Sequence, residues 1–281
     1  MTRTVCITGA TSGIGRATTL RLLDEGWQVI AAGLPADPPL PAAPQLDHLQ
    51  LDLSDAASIT AAAERITALT QAQGLHGLIN NAGINQPAAL ELLSTKALRQ
   101  HFEVNVIGHH ALIQALLPDL RQAHGRIVNV SSLMGRVPMP LLGAYSMSKH
   151  ALEALTDILR LELEPQGITV ASVAMGAVST PMTDGIAATI EEGHAQLTDE
   201  MRRRYDWLYA GMQRALTQQA RQAVPVERVV GVILKALTAA KPEPRYTVDA
   251  PARGLMLMRR LAPDRVVDAI LRRALGLKPP R

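Results

Sequence analysis

The chain has little cysteine, few aromatic residues and no long apolar run, and each of these features excludes or disfavours one class of protein. Its single cysteine, Cys6, excludes an internal disulfide. No apolar stretch reaches the ~18 residues that a membrane-spanning helix needs. There are only one Phe, two Trp and four Tyr, and the basic residues are not gathered with them, so nucleic-acid binding is not expected.

The N-terminal residues leave no room for an export signal, because the first predicted strand begins at Thr4. Cys6 lies inside this apolar strand, where a buried thiol is more common than a reactive one. With 47% hydrophobic residues, 19% charged residues and a net charge of +3, the composition is ordinary for a globular protein. We therefore expect an intracellular, cytoplasmic protein.

Apolar segments of strand length alternate with longer segments of helical period, and this alternation favours an α/β fold. Strands are predicted at 4–8, 27–32, 48–51, 75–80, 125–131, 168–173 and around Tyr246, and helices at 14–25, 54–73, 95–121, 144–164 and 227–240. The pattern is typical of a doubly wound parallel sheet covered by helices on both faces. We expect one domain over residues 1–281, with a proline-rich loop at 34–44, a helical insertion at 181–222 and a basic amphipathic tail at 251–281.

A glycine-rich turn, with Gly9, Gly13 and Gly15, separates the first predicted strand from the first helix. A helix N-terminus offers free N–H groups and a positive dipole end to a pyrophosphate, and glycines let the backbone turn tightly and approach it. The spacing Gly-x3-Gly-x-Gly differs from the common G-x-G-x-x-G. Taken alone, it is also compatible with a strand-to-helix turn that binds nothing.

Two further motifs accompany this turn: Asn80-Asn81-Ala82-Gly83 after the fourth strand, and Tyr145-x3-Lys149. From Thr4 to about Thr180 the chain resembles the short-chain dehydrogenase/reductase family in the order and spacing of these motifs. The resemblance implies a nicotinamide cofactor, with Asp52 on the adenine and Asn81 bracing the central strands. The cofactor contacts it implies are Gly9, Thr11, Ser12, Gly13, Ile14, Gly15, Leu34, Asp52, Leu53, Asn81, Ala82, Gly83, Tyr145, Lys149, Gly176, Val178 and Thr180.

Tyr145 and Lys149 are four residues apart, which places them on one face of a helix. A phenol has a pKa near ~10, and an adjacent ammonium group favours its ionised form, so the pair suits proton transfer to a carbonyl oxygen. By resemblance, Ser132 hydrogen-bonds the substrate oxygen and Asn105 holds a water of the proton relay. Ser131 is adjacent, and only the spacing to Tyr145 selects between the two serines. A Tyr and Lys pair alone would more often be a surface contact.

The cofactor type is less clearly indicated than the reaction. NADP enzymes usually carry a basic residue after the second strand, where this chain has Leu34, and NAD enzymes carry an acidic one. Asp37 lies far along the proline-rich loop, and Arg16 is more typical of a solvated helix residue. The missing basic pocket favours NAD over NADP. Met175-Gly176 also replaces the Pro-Gly that is usual in the family, which puts the position of Val178 in doubt.

The insertion at 181–222 is expected to cover the substrate. It is rich in Met, Ile and Leu, and three of the seven aromatic residues of the chain fall at 205–209. We predict a lid over an apolar pocket for a steroid-, retinoid-, fatty- or aryl-type alcohol or ketone, with contacts from Met182, Ile186, Trp207 and Tyr209. The competing interpretation is that these residues form an ordinary helical core.

The tail resembles that of retinol and steroid dehydrogenase-like members, and from Arg253 onward it interleaves arginines with apolar residues. It could rest on an anionic membrane, or pack on the lid or on another subunit.

The family usually forms homodimers or homotetramers through the helices predicted at 95–121 and 144–164. Adjacent histidines His109 and His110 point different ways on a helix, so no metal site is expected. A non-redox enzyme of the same fold and a dinucleotide-sensing regulator remain alternatives, although Ser132 and Tyr145 are both retained.

Overall fold

The computed structural model describes residues 2–35 and 39–277. Asp37, considered above for the cofactor ribose, lies outside these residues. The strands are β1 Thr4–Thr8, β2 Gln28–Gly33, β3 Leu46–Gln50, β4 Gly77–Asn80, β5 Arg126–Val130, β6 Thr169–Ala174 and β7 Arg245–Thr247. The helices are α1 Gly13–Asp24, α2 Ala56–Thr70, α3 Thr95–Phe102, α4 Gly108–Gln122, α5 Gly143–Leu163, α6 Pro181–Ala195, α7 Asp199–Ala220, α8 Val226–Thr238, α9 Ala250–Leu261 and α10 Asp264–Ala274.

The seven strands form one parallel sheet in the order β3-β2-β1-β4-β5-β6-β7, which confirms the predicted doubly wound fold. The chain order reverses between β1 and β4. In sheets of this kind the ligand crevice opens at that reversal, beyond the carboxyl ends of the strands. The turn after β1 and the segment after β4 therefore face each other across the expected binding site.

Alternate side chains of each strand point to opposite faces, so the sheet has two hydrophobic cores. Val5 and Ile7 belong to the core that is covered by α1 and α8, whereas Cys6 between them belongs to the core covered by α2, α4 and α5. Burial raises the pKa of the Cys6 thiol to about 12, so this side chain stays protonated as a small apolar residue.

Two predicted helices differ from the structure in ways that a sequence pattern does not reveal. The helix predicted at 95–121 is interrupted by a π-helical turn at Glu103–Ile107 between α3 and α4. Ser54, the predicted cap of α2, instead hydrogen-bonds the carboxylate of Asp52, and Asp55 caps the helix by accepting from the N–H of Ala57. The Asp55 carboxylate is thus the nearer acceptor for the first free N–H groups.

Helices α6 and α7 form the insertion, and α9 and α10 form the tail. Ile190, Leu208, Tyr209 and Met212 of the insertion are buried in one cluster together with Leu275, which follows α10. This packing supports the interpretation of the insertion as a helical core, and it confirms that the tail packs on the insertion. No helix among the described residues is long and apolar enough to cross a membrane.

Candidate active site

The glycine turn leads from β1 into α1 with two residues in the left-handed region, Gly9 at φ +62° and Gly13 at φ +48°. Gly15 is needed for a different reason, since a Cβ there would lie 2.0 Å from the carbonyl oxygen of Gly9. The turn is thus folded back against the first turn of α1. Ser12 stands at the N-cap without a side-chain capping bond, so the first N–H groups of the helix remain available to an anionic ligand.

Hydrogen bonds across the crevice hold the β1 turn to the segment after β4. The side-chain amide of Asn81 donates to the carbonyl oxygens of Thr8 at 2.9 Å and Gly9 at 3.2 Å. In return, the Thr8 hydroxyl accepts from the backbone N–H groups of Asn81 and Ala82, both at 3.0 Å. Asn81 thus takes part in three of these four hydrogen bonds, and the backbone of Ala82 makes the fourth.

A cleft of about 370 Å³ runs from the glycine turn to the start of α5. The sequence-predicted residues that line it are Gly9, Thr11, Ser12, Gly13, Ile14, Leu34, Asp52, Leu53, Asn81, Ala82, Gly83, Tyr145, Lys149, Thr180 and Met182. Hydrogen bonds from the N–H and hydroxyl of Ser54 lower the pKa of Asp52, so its carboxylate is ionised where a cofactor adenosine would lie. The glycine turn leaves space that a Cβ atom on its glycines would fill, and free helix N–H groups lie next to this space. This arrangement fits a dinucleotide.

Tyr145 lines this cleft, and Ser132 is close enough to its hydroxyl to lower the pKa of the phenol by a hydrogen bond. Ser132 itself is buried and is not part of the cleft lining, whereas the adjacent Ser131 is. Ser132 follows β5 and caps a short turn by accepting from the N–H of Met134 at 3.1 Å. Burial raises the pKa of Tyr145 to about 12, and the Ser132 hydrogen bond only partly offsets this. The expectation that Lys149 lowers the pKa of Tyr145 is therefore wrong, because the loss of hydration on burial outweighs the other effects on the phenol.

Lys149 is buried one turn further along α5, and its ammonium group donates to the carbonyl oxygen of Val130 at 2.8 Å. Its Nζ lies 5.6 Å from the centre of the Tyr145 ring. Burial lowers the pKa of Lys149 to about 8, and the negative charge of Glu153 opposes this shift. Glu153 is itself buried and is held by Arg136 at 2.9 Å and Arg245 at 3.1 Å.

Asn105 lies in the π-helical turn and is fully buried. Its amide oxygen accepts from the N–H of Ile84 at 2.8 Å, and its amide nitrogen donates to the carbonyl of Ile84 at 3.0 Å and to the hydroxyl of Ser148 at 2.9 Å. Gly83 lies against both Asn105 and Lys149, since a Cβ on Gly83 would lie 3.2 Å from the Asn105 amide oxygen and 3.8 Å from the Lys149 Nζ.

Several predicted contacts lie away from the cleft lining. Gly15 supports the turn from behind, and Val178 is buried in a bridge to Val224. The backbone N–H of Gly176 donates to the carboxylate of Asp249 at 3.0 Å, which fixes this loop to the start of α9. With Met175 in place of proline, the loop also keeps an N–H group and a free φ.

The structure separates the four predicted substrate residues. Met182 lines the cleft, and Ile186 packs against the apolar residues around Leu133. Tyr209 is 2% exposed, and its ring stacks on His194 with the centroids 5.3 Å apart, so it belongs to the core. Trp207 lines a separate apolar cavity of about 1060 Å³ between α5, α7 and α10. The concentration of aromatics in the sequence reflected this helix packing.

Three residues that the sequence pattern did not indicate lie behind Lys149 and Asn105. Ser148 bonds Asn105, Val130 accepts from Lys149, and Glu153 follows Lys149 by one turn. Helical spacing could have found Ser148 and Glu153, because both share the buried side of α5. His109 is buried with Nε2 2.9 Å from the carbonyl oxygen of Ala82, and burial lowers its pKa to about 4. Of the two adjacent histidines, His109 thus contacts the backbone of the segment after β4.

Comparisons with known proteins agree with this geometry. The model of the short chain dehydrogenase family matches residues 3–191. The chain is 37% identical over 256 residues to the 3-amino-tetrahydro-pyrrolizinone reductase of Xenorhabdus hominickii, covering 90% of this chain and 89% of that protein. It is 37% identical over 269 residues to rabbit (Oryctolagus cuniculus) 11-beta-hydroxysteroid dehydrogenase type 2, covering 92% of this chain and 66% of that protein.

Mouse (Mus musculus) retinol dehydrogenase 5 is 31% identical over 277 residues, with 95% of this chain and 87% of that protein covered. Among solved structures, a short chain dehydrogenase from Burkholderia cenocepacia in complex with NADP superposes with a TM-score of 0.74 at 25% identity, covering 99% and 98% of the two chains. The chain belongs to the short-chain dehydrogenase family, and the predicted relation to steroid and retinol dehydrogenases is confirmed. It is an NAD(P)-dependent oxidoreductase that acts on alcohols or ketones.

Proposed function

We propose that this enzyme transfers a hydride between NAD and a hydrophobic secondary alcohol or ketone, with Tyr145 as the acid and base. The observation that carries the proposal is that Tyr145 and Lys149 line the same cleft as the glycine turn, with Ser132 close enough to the Tyr145 hydroxyl to lower the pKa of Tyr145. When bound, the nicotinamide supplies or accepts the hydride. Gly9, Thr11, Ser12, Gly13 and Ile14 would hold the pyrophosphate end of the cofactor, and Asn81, Ala82, Gly83, Lys149 and Thr180 the nicotinamide end.

Tyr145 is protonated at neutral pH, which suits it to donate its proton to the oxygen of a ketone as the carbonyl carbon receives hydride. The Ser132 hydroxyl hydrogen-bonds the same oxygen and stabilises the charge that develops on it. In alcohol oxidation the proton passes back to Tyr145. Lys149, when charged, stabilises the phenolate that reduction leaves behind, and the Asn105 amide keeps the backbone beside Lys149 in position.

Apolar residues around Ser132 support a hydrophobic substrate. Leu133 and Met134 follow Ser132 directly, and Ile186 of α6 and Met256 of α9 pack beside them. Residues 181–222 with Met182 and Ile186 then form the lid, and residues 251–277 close it from the other side, within a single domain. Trp207 and Tyr209 do not support this pocket, since one lines a separate cavity and the other is in the core. The proposed substrate is therefore a steroid-, retinoid-, fatty- or aryl-type alcohol or ketone.

Two further features bear on the expectations for cofactor and assembly. Leu34 is 55% exposed at the position where NADP enzymes place a cation, which supports NAD. Arg16 lies near the same loop, since it donates to the carbonyl oxygen of Pro39 at 3.1 Å.

Ile158 and Leu161 on α5 and Ile107 before α4 are exposed, which supports self-association through these helices into a dimer or tetramer. The cytoplasmic location stays a prediction.

Fluorescence titration with NADH and NADPH, followed by turnover of a ketone series of rising apolar size, tests this proposal. We expect tighter binding of NADH and a kcat/KM that rises with the apolar area of the ketone, at about 25 cal/mol per Å² buried. Equal or tighter binding of NADPH would refute the NAD preference. A kcat/KM that is flat or falls along the ketone series would refute the hydrophobic pocket.

The pH dependence of reduction should report on Lys149 and Glu153. If charged Lys149 is required, kcat/KM falls as pH rises through about 8, where this lysine loses its proton. Glu153→Gln removes the anion that raises the Lys149 pKa, so the alkaline limb is expected to move to lower pH. Glu162→Gln, on the exposed side of the same helix, serves as the matched control. An unchanged limb in Glu153→Gln at normal thermal stability would contradict this role.

A further inference from the structure

The outer side of the two C-terminal helices is apolar, although their inner side is already packed. Ala252, Val267 and Leu275 are buried against the body of the protein. The large apolar side chains that remain exposed are Leu257 at 55%, Leu261 at 73%, Val266 at 46% and Ile270 at 41%. These four are a third of the twelve large apolar side chains that are exposed among the described residues, yet they fall within fourteen positions of the chain.

These four residues form two pairs that are close together in the chain. Leu257 and Leu261 are one turn apart on α9, and Val266 and Ile270 are one turn apart on α10. Leu261 ends α9 and Val266 lies in the first turn of α10, so only residues 262–265 separate the two pairs. We refer to Leu257, Leu261, Val266 and Ile270 as the outer apolar surface.

Positively charged residues are concentrated on the two helices that carry the outer apolar surface. Residues 250–277 carry six arginines and two aspartates, a formal charge of +4, whereas the whole chain carries only +3. Within the described residues, one of these six arginines forms an ion pair: Arg259 contacts the carboxylate of Asp264 at 2.6 Å. The arginines without a carboxylate partner in residues 2–35 and 39–277 are Arg253, Arg260, Arg265, Arg272 and Arg273.

From this combination we infer that α9 and α10 dock on an anionic lipid surface, with the outer apolar surface entering the headgroup boundary. Exposed Leu, Val and Ile flanked by arginines is the arrangement by which helices lie in a membrane interface, and arginine stems can extend toward the phosphates. A second copy of this chain fits less well. A two-fold contact through the same surface would bring +4 against +4, which opposes association.

Flotation of the full-length protein with vesicles tests this inference. We expect binding to vesicles of phosphatidylglycerol and phosphatidylcholine at low salt, loss of binding at high salt, and none to phosphatidylcholine alone. Changing all four residues of the outer apolar surface to Ser should weaken binding about tenfold or more. Arg260→Ser with Arg273→Ser should weaken it roughly thirtyfold, at about 1 kcal/mol for each cation.

A charge-matched control is available outside the two C-terminal helices, because Arg65 on α2 and Lys235 on α8 are exposed. Arg65→Ser with Lys235→Ser should bind the anionic vesicles as the parent does, and cofactor titration and thermal melting confirm that each variant is folded. Three outcomes would overturn the inference: no binding to anionic vesicles, equal loss in the control, or undiminished binding of the four-serine variant. A fall in oligomer size for that variant, measured by sedimentation, would instead assign the surface to a second copy.

Discussion

Replacing Tyr145 with Phe is expected to lower kcat for ketone reduction by about 10²–10⁴-fold, the usual contribution of a positioned acid or base. The variant loses the hydroxyl that contacts Ser132, while the ring that lines the cleft is kept. Cofactor affinity should therefore change little, because the glycine turn and the Asn81 hydrogen bonds are untouched. Single-turnover absorbance of the reduced nicotinamide measures the chemical step, and fluorescence titration measures the affinity.

Tyr246→Phe is a matched control, because this tyrosine is also buried but lies on β7 and accepts a hydrogen bond from the N–H of Glu243 at 2.8 Å. Its loss should cost about 1 kcal/mol of stability and leave kcat unchanged. If Tyr145→Phe turned over at near the parent rate, the proton would have to come from another group, and the proposed role of Tyr145 would be abandoned. A large loss in Tyr246→Phe would show that kcat responds to stability alone.

The fold was predictable because its signals are local and repeated. Val5 and Ile7 serve one core and Cys6 the other, so the continuous apolar run of β1 already implied a sheet covered on both faces. The glycine turn and the helical spacing of Tyr145 and Lys149 are equally local. Gly9, Gly13, Tyr145 and Lys149, which were predicted from backbone geometry and short spacing, all line the cleft.

What could not be predicted depends on contacts between distant segments. Trp207 and Tyr209 are two residues apart, yet one lines a cavity against α10 and the other stacks on His194, and no periodicity distinguishes them. The pKa of Tyr145 is another case. Its proximity to Lys149 could be predicted, but the burial that dominates the pKa comes from surrounding elements, and the Lys149 ammonium group is engaged by Val130.

Gly15→Ala is expected to cause the second large effect, the loss of dinucleotide binding. The added Cβ would lie 2.0 Å from the carbonyl oxygen of Gly9 and 2.6 Å from the side-chain nitrogen of Asn81. Neither neighbour is a flexible chain end, because the first is backbone and the second is held by hydrogen bonds across the crevice. The start of α1 must therefore separate from the turn and from Asn81. We expect the free energy of unfolding to fall by about 1–3 kcal/mol, which is typical of overpacking.

Cofactor affinity should fall by more than this loss of stability alone would cause, since the displaced turn is the phosphate cradle itself. Gly231→Ala provides the contrast: Gly231 lies in the interior of α8, and a Cβ there would meet nothing within 4 Å. That substitution should raise the free energy of unfolding by about 0.5–1 kcal/mol and leave cofactor binding unchanged, because alanine restricts the unfolded chain. Denaturant unfolding and NADH titration of both variants separate the two effects. If Gly15→Ala bound NADH as the parent does, the close approach at the turn would not be required, and the assignment of the pyrophosphate to this turn would fail.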